Sequence, residues 1–197
     1  MPVNKEHIFD SGIYFITFTN YNWIPLFHIT NGYDIVYKWF DTLKAAGHSV
    51  LGYVIMSNHV HALIGYKSST RSINTLVGSG KRFMAYDIVE RIQKAGNSLL
   101  LKTLEEGVKP SEKRRGKLHE VFKDSFDIKL CRTYKFVQQK LDYIHSNPVS
   151  KKWSLAADPT LYEHCSAKFY TTGTQGVYNV AHANDWIFEN WIELPTE

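Results

Sequence analysis

The chain has 197 residues, of which 44% are hydrophobic and 21% charged, and it carries a formal net charge of +4. These values are typical of one globular domain, or of one domain with a C-terminal extension, and they exclude a disordered chain. No run of about 18 apolar residues occurs, so the sequence predicts no membrane span. The mild positive charge, together with 12 Tyr, 11 Phe and 5 Trp, is compatible with binding to single-stranded nucleic acid, although aromatic residues also fill protein cores.

The first residues, MPVNKEHIFDSG, contain no apolar segment behind a basic region, so we expect no secretory signal. Cys131 and Cys165 are too few for a disulfide framework, and they lack the spacing of a zinc site. We therefore expect a cytoplasmic protein in a reducing compartment.

Four segments in the first half of the chain have distinct patterns. Residues 13–20 alternate and are rich in β-branched and aromatic side chains, which predicts a strand. In residues 32–46, apolar side chains recur at helical spacing, which predicts a helix. Residues 49–56 and 59–66 predict two more strands, which the turn at Ser57-Asn58 would join into a hairpin.

The second half is predicted to begin with a long helix over residues 71–94, in which Gly78 and Gly80 either interrupt the helix or permit a close approach. Residues 105–117 contain glycine, proline and five basic residues and predict a loop. Residues 121–131 predict a fourth strand. Residues 134–146 predict a helix that ends at Asn147-Pro148, because the residue before a proline disfavours the α conformation. Beyond Pro148 the sequence is aromatic and shows little periodicity.

The order of these elements predicts the class of fold. Strand, helix, strand, strand, helix, strand and helix favour an α+β fold, with an antiparallel sheet and helices packed on one face, as in ferredoxin-like or RRM-like domains. Residues 1–150 would form this domain, and residues 151–197 would form a C-terminal extension that is a candidate for DNA contacts.

His59 and His61 are separated by one residue on the third predicted strand. Because side chains alternate along a strand, both imidazoles project from one face, with Cα atoms about 7 Å apart, while Val60 projects from the other. Two imidazoles on one face can share a divalent cation and leave positions for a third ligand and for substrate oxygens. The alternative for this pattern alone is a pair of hydrogen-bonded surface histidines.

Three segments carry a resemblance to a known family. The segment GYVIMSNHVHALI, residues 52–64, resembles the histidine–hydrophobe–histidine strand of the single-tyrosine HUH transposases. The segment KLDYIHSNPV, residues 140–149, resembles the tyrosine helix of the REP-associated tyrosine transposases, a branch of that family. The segment HCSAKFY, residues 164–170, is similar to the C-terminal Ser-Ser-Ala-x-x-Tyr segment of the branch, with Cys165 where Ser is common. The resemblance extends from Gly12 to Tyr170, and residues 171–197 match nothing in it.

The resemblance implies a single-stranded DNA endonuclease and strand transferase with the HUH endonuclease fold. In such an enzyme a tyrosine attacks a phosphodiester, forms a 5′-phosphotyrosine and frees a 3′-hydroxyl, which can later reverse the step on another strand. A divalent metal polarises the scissile phosphate. The branch also implies that the substrate is a DNA hairpin, with a tetranucleotide at its foot that marks the cleavage site.

Two tyrosines are candidates for the nucleophile. Tyr143 precedes Ile-x-x-Asn-Pro, as does the catalytic tyrosine of the REP-associated branch, and Lys140 and Asn147 lie on its face of the helix. Tyr134 is the alternative, because Gln138 four residues later reproduces the Tyr-x-x-x-Gln pattern of the transposon-borne members. The resemblance favours Tyr143, and a tyrosine that only anchors the helix to the sheet is the structural alternative.

The candidate third metal ligand is Asn147, with Gln138 as the alternative. Asn147 stands where other family members use Gln, and its amide oxygen can bind a hard cation. Its shorter side chain leaves helix capping as another role for this residue. Two imidazoles and one amide oxygen suit Mg²⁺ or Mn²⁺, whereas zinc would more often recruit Cys or carboxylate. We therefore predict Mg²⁺ or Mn²⁺ as the cofactor.

Basic residues in the long helix, in the loop and around the tyrosine helix are candidates for DNA contacts. They are Lys81, Arg82, Lys113, Arg114, Arg115, Lys140, Lys151 and Lys152. Phosphate contacts by such residues would make binding strongly salt-dependent, although a solvated loop explains the central cluster equally well. We expect single-stranded or hairpin DNA as the partner, no membrane, and a monomer rather than a homodimer.

Three other functions are alternatives. A non-catalytic module would hold single-stranded nucleic acid by stacking, and it would carry aromatic side chains where the histidines stand. A metal hydrolase without a covalent step would not need the Tyr-Ile-x-x-Asn-Pro helix. A decayed transposase would fold without cleaving DNA, and the intact His59, His61 and Tyr143 argue against decay.

Overall fold

The structure, a computed structural model, describes residues 10–190 and 194–195. Within these residues the chain forms four strands and eight α-helices. In chain order they are β1 (Gly12–Thr19), α1 (Leu26–Ile29), α2 (Tyr33–Ala45), β2 (Ser49–Ile55), β3 (His59–Tyr66), α3 (Ile73–Lys94), α4 (Ser98–Glu106), α5 (Pro110–Lys113), β4 (Asp127–Leu130), α6 (Tyr134–Ser146), α7 (Ala167–Thr172) and α8 (Ala183–Glu189). The strands form one sheet in the order β2-β3-β1-β4, and all neighbouring strands are antiparallel. None of the helices in the described ranges is long and apolar enough to cross a membrane.

The predicted α+β fold with an antiparallel sheet is confirmed, and so are its main elements. The first three strands and the helices α2, α3 and α6 lie within two residues of their predicted bounds. The predicted fourth strand is shorter than expected, because residues before β4 contribute only an isolated bridge between Asn20 and Phe122. The predicted loop over 105–117 contains α5, and two short helices, α7 and α8, follow Pro148. Helices of so few residues depend on tertiary packing and leave little periodicity in the sequence.

Helices cover both faces of the sheet, which corrects the expectation that they pack on one face. Alternate side chains of β1 belong to two separate cores, Tyr14 and Ile16 to one and Ile13 and Phe15 to the other. The first core includes residues of α2 and α3, and the second includes residues of α6 and α8. Every residue of β3 is buried, as is typical of a strand that is covered on both sides.

Helix α6 crosses the face of the sheet that carries the two histidines. Its buried stripe consists of Val137, Leu141 and Ile144. A Cβ atom at Gly52 would lie 2.7 Å from Cδ2 of Leu141, so the helix can approach β2 this closely only over a glycine. The hydroxyl of Thr133 accepts a hydrogen bond from the Phe136 amide at 3.1 Å and caps the first turn of the helix. This packing leaves Tyr143, next to the buried stripe, exposed at the helix edge.

Residues beyond 150 cover the edge strand β2. The Ile55 amide donates to the His164 carbonyl at 2.9 Å, and the Ser166 amide donates to the Tyr53 carbonyl at 3.0 Å. The Ser166 hydroxyl in turn accepts from the Tyr53 amide at 3.0 Å. Such pairing protects an edge that would otherwise present free backbone groups. The division of the chain into a domain over 1–150 and a DNA-contacting extension stays a prediction.

Candidate active site

A cavity of about 540 Å³ opens on the α6 face of the sheet. Its lining combines the predicted site residues with groups from β1, β4 and the turn after α6. The residues relevant to its chemistry are Thr17, Trp23, His59, His61, Lys123, Asp127, Tyr143, Asn147, Lys152 and Trp153. The structure therefore brings the histidine pair, the favoured tyrosine and the favoured third ligand to one site.

The two histidines lie side by side in the floor of this cavity. Each is 4% exposed, and their ring centroids are 4.8 Å apart. Nδ1 of His61 lies 2.7 Å from the Thr17 hydroxyl, which β1 places opposite it in the sheet. Nδ1 of His59 lies 2.7 Å from Oδ1 of Asn58. Both rings are therefore held by their Nδ1 atoms, which leaves their Nε2 atoms for another partner.

The hydrogen bonds of Asn58 determine the tautomer of His59. The Asn58 amide nitrogen donates to the Trp23 carbonyl at 2.9 Å, so its Oδ1 must face His59. An amide oxygen only accepts, so Nδ1 of His59 carries the proton and its Nε2 has a free lone pair. A partner on one ring nitrogen that fixes the other for ligation is typical of metal-binding histidines.

The electrostatic environment keeps both imidazoles neutral at physiological pH. Burial lowers the pKa of His61 to about 3, and the neighbouring His59 and the Lys140 cation act in the same direction. Burial also lowers the pKa of His59 to about 4, with the Lys152 cation adding to the effect and the Asn147 amide opposing it. The neutral form is the one that can bind a metal, because ligation requires the lone pair.

Two unpaired polar atoms in the cavity fit a bound cation. Across the described residues, Nε2 of His61 and Oδ1 of Asn147 are buried without a hydrogen-bond partner. Leaving such an atom unpaired costs about 1–3 kcal/mol, so a ligand for both is favoured. The Asn147 side-chain oxygen is thus not engaged in capping α6. Imidazole nitrogens and an amide oxygen are both groups that can ligate a divalent cation.

Tyr143 stands beside the histidine pair and remains accessible. Its ring centroid is 4.9 Å from that of His61 and 6.0 Å from that of Phe15, and the residue is 47% exposed. Nζ of Lys140 lies 5.8 Å from the Tyr143 ring, one helical turn earlier. A phenol in this position can meet a substrate that enters the cavity.

Tyr134 and Gln138 do not line the cavity. Tyr134 begins α6, and its amide donates to the Pro195 carbonyl at 2.8 Å. Nine residues separate it from Tyr143, which corresponds to about 13 Å along a helix axis. The alternative tyrosine and the alternative ligand therefore lie outside the cavity that holds the histidines.

The predicted DNA-contact residues occupy three kinds of position. Lys152 lines the cavity, and Lys140 lies at its edge, 4.8 Å from the Phe15 ring. Five others are exposed on surfaces outside this cavity, namely Arg82, Lys113, Arg114, Arg115 and Lys151. Lys81 is the one predicted contact that is buried. Arg115 forms a surface ion pair with Glu112.

Lys81 is the exception, and its predicted role as a phosphate contact does not agree with its position. It is 9% exposed, and its Nζ donates to the Lys123 carbonyl at 2.7 Å. The ammonium lies 5.1 Å from the Phe126 ring, and burial lowers its pKa to about 8. Lys81 therefore joins α3 to the segment before β4 and is largely buried.

Sequence reasoning missed Thr17, Trp23, Asn58 and Lys123 as members of this site. Thr17 becomes visible only through the register that pairs it with His61. The sequence predicts a turn at Asn58, and the one signal of another role is its position next to His59. Trp23 is presented by left-handed backbone at Asn22 and Trp23, which no sequence pattern reveals.

A solved structure of a REP-associated tyrosine transposase bound to a REP hairpin matches the chain with a TM-score of 0.58, covering 92% of each chain at 12% sequence identity. This likeness shows that the two proteins share a fold. A candidate transposase from Deinococcus radiodurans R1 matches 73% of this chain and 95% of that chain at 16% identity, and its TM-score of 0.40 is too low to carry an argument. No family model and no curated protein matches the sequence.

Proposed function

We propose that this protein is a metal-dependent single-stranded DNA endonuclease and strand transferase, a transposase of the REP-associated tyrosine type. The proposal rests on one observation, which is that Tyr143 lies in the same cavity as His59, His61 and Asn147. The shared fold with a transposase bound to a DNA hairpin supports a hairpin with an unpaired strand as the substrate.

The residues around the cavity would bind and orient a phosphodiester. Lys140 at one edge and Lys123 and Lys152 in the lining supply positive charge for phosphates. The volume of about 540 Å³ is enough for a nucleotide and its phosphate, and the half-exposed ring of Tyr143 faces this space. The substrate is thus held with its phosphorus next to the phenol oxygen.

The covalent step uses Tyr143 as the nucleophile. Its phenol oxygen attacks the phosphorus, the bond to the 3′-oxygen breaks, and the 5′-phosphate stays on the tyrosine. The phenol releases its proton to water in the open cavity, and the leaving 3′-oxygen takes a proton from water. A 3′-hydroxyl that later attacks the phosphotyrosine reverses the step and joins the strands.

His59, His61 and Asn147 would hold Mg²⁺ or Mn²⁺ through Nε2 of the imidazoles and Oδ1 of the amide. Such a cation, when bound, supplies positive charge that stabilises the negative charge on the phosphate oxygens during attack. Asn58 and Thr17 keep the imidazoles oriented through their Nδ1 atoms.

The test uses labelled single-stranded DNA hairpins from beside the protein's own gene, incubated with Mn²⁺ or with EDTA. We expect a denaturant-resistant protein–DNA band that requires Mn²⁺ and that peptide mass assigns to Tyr143. Tyr143→Phe should abolish this band and leave DNA binding near normal. Tyr134→Phe is the matched control, because it removes the other hydroxyl from the same helix, and it should retain the band.

The same experiment contains the results that oppose the proposal. A band that persists in Tyr143→Phe and disappears in Tyr134→Phe would move the nucleophile to Tyr134. Unchanged cleavage by His59→Ala or in EDTA would exclude the metal site. Tight binding without a band on any hairpin would favour a non-catalytic binding module or a decayed transposase.

A further inference from the structure

Two tryptophans stand next to the histidine pair, on the side away from Tyr143. The ring centroids of Trp23 and Trp153 are 6.4 Å apart, with an interplanar angle of 34°. The His59 ring lies 5.8 Å from the first and 5.2 Å from the second, whereas the ring nearest to Tyr143 is that of His61. Both tryptophans line the cavity, and Trp23 is 44% exposed. The cavity therefore has the tyrosine at one end and an aromatic pair at the other.

The backbone presents Trp23 in a conformation that large residues rarely adopt. Asn22 has φ 47° and Trp23 has φ 59°, two consecutive left-handed residues without a glycine. The Trp23 carbonyl accepts the hydrogen bond from Asn58, which also orients His59. An unfavourable backbone that exposes a large apolar ring beside a candidate metal ligand is a feature typical of functional sites.

Two lysines lie on these rings. Nζ of Lys123 is 4.5 Å from the centroid of the Trp23 ring. Nζ of Lys152 is 4.8 Å from the Trp23 ring and 4.7 Å from the Trp153 ring. Aromatic rings with ammonium groups over their faces match a nucleotide, because a base can take the place of the ammonium on the ring while the ammonium pairs with the phosphate. The positive charge of the two lysines and the flat faces of the two tryptophans together favour a nucleic-acid strand over an apolar partner.

We propose that Trp23 and Trp153, with Lys123 and Lys152, form a stacking platform for an unpaired nucleobase of the DNA strand. The base on the platform belongs to the unpaired stretch next to the phosphate that faces Tyr143. The platform fixes where along the strand the cleaved phosphate falls, so its residues are positioning residues. This inference rests on the proposed function, since both use the same cavity.

Photo-crosslinking tests the platform without any need for cleavage. The protein carries Tyr143→Phe, and the probe is a pool of single-stranded 12-nucleotide DNAs of random sequence with one 5-iododeoxyuridine at the centre. We expect crosslinked peptides that contain Trp23 or Trp153. Crosslinks that fall only on other segments would overturn the platform.

Substitutions test its contribution to binding. Trp153→Ala and Trp23→Ala should each weaken binding of the same DNA about 5- to 100-fold, the range that follows from the loss of one stacked base. Trp153→Phe and Trp23→Phe keep a stacking ring and should restore most of the affinity, with unchanged melting temperature. Leu99→Ala is the control, because Leu99 is a large apolar residue that is 76% exposed on α4, outside the cavity and away from the predicted DNA contacts. Equal losses in the control and in the tryptophan variants would reject the platform.

The outcome for the platform is separable from the outcome for the proposed function. The wild-type protein and the tryptophan variants are also assayed for the covalent band on hairpin DNA. A band of wild-type intensity in Trp153→Ala and Trp23→Ala, with unchanged affinity, would remove the platform and leave the nuclease. Crosslinks at the tryptophans without a covalent band in any protein would support the platform and contradict the nuclease.

Discussion

Asn58 connects the backbone of Trp23 to the imidazole of His59. It is 5% exposed, its nitrogen donates to the Trp23 carbonyl, and its oxygen accepts from His59. Both ends of the amide are thus used, so the side chain has one favourable orientation. A residue outside the lining of the cavity can in this way determine which imidazole nitrogen is free to act as a ligand.

Asn58→Ala should therefore lower the affinity for Mn²⁺ by about 10- to 100-fold, because His59 loses the partner that fixes its tautomer and orientation. Calorimetric titration of the purified protein with Mn²⁺ measures this change. Asn184→Ala removes an exposed asparagine from α8 and should leave the affinity unchanged. An unaltered affinity in Asn58→Ala would show that the amide does not orient a metal ligand.

The contact between helices α2 and α3 depends on one of two glycines in α3. A Cβ atom at Gly80 would lie 2.3 Å from Cδ1 of Trp39, whereas one at Gly78 would meet nothing within 4 Å. Both glycines are helical, so neither interrupts α3, and Gly80 is the one that permits the close approach. The sequence alone does not distinguish these two roles, since the spacing of glycines does not show which side chains face them.

Gly80→Ala should lower the free energy of unfolding by about 1–3 kcal/mol, because Trp39 must leave its packed position. Gly78→Ala, on the open side of the same helix, should raise it by about 0.5–1 kcal/mol through the better helix propensity of alanine. Urea unfolding of the two variants beside the wild type gives both values. Changes of the same sign in the two variants would contradict the assignment of Gly80 to the helix contact.

At the scale of the whole molecule, one chain supplies every member of the candidate site. The histidines come from β3 and the tyrosine from α6 of the same chain, and their rings are in contact distance without a second copy. The site is thus compatible with the predicted monomer. A dimer that exchanged its tyrosine helices would instead combine His59 and Tyr143 from different chains.

A mixture of Tyr143→Phe and His59→Ala distinguishes these arrangements. The first variant lacks the candidate nucleophile and the second lacks a candidate metal ligand. If each site is formed within one chain, the mixture should form no covalent band with hairpin DNA. Light scattering of the wild type should give the mass of one chain. A band that appears only in the mixture would show that two chains share their sites.

The buried histidines also make the stability of the molecule depend on pH. Burial lowers the pKa of His61 to about 3 and those of His59 and His145 to about 4. In the unfolded chain these groups bind protons below about pH 6.5, whereas in the folded chain they stay neutral until about pH 4. The unfolded state therefore binds more protons in this window, and stability falls as the pH is lowered through it.

Urea unfolding at pH 7 and pH 5 should show this loss, on the order of 1–2 kcal/mol per histidine at pH 5. His145→Gln removes one of the three groups and keeps a donor for the Ser166 hydroxyl, so its stability should fall less steeply. Equal stability of the wild type at the two pH values would contradict the neutral state of the buried histidines.

Local patterns in the sequence predicted the main elements of the fold and the candidate residues of the site. Period-two alternation placed His59 and His61 on one face, and helical periodicity together with Asn147-Pro148 determined the bounds of α6. The likeness to a known tyrosine helix then favoured Tyr143 over Tyr134. These features depend on residues that are close together in the chain, so they can be predicted from the sequence.

Only the tertiary structure determined which residues each buried side chain contacts. It placed helices on both faces of the sheet, buried Lys81, and brought Trp23, Asn58 and Lys123 to the cavity. Periodicity records that a side chain is buried, but the partner depends on strand register, on the approach of α6 over Gly52 and on left-handed backbone at Asn22. These are contacts between residues far apart in the chain, and each of them is selected by packing and hydrogen bonding in the folded molecule.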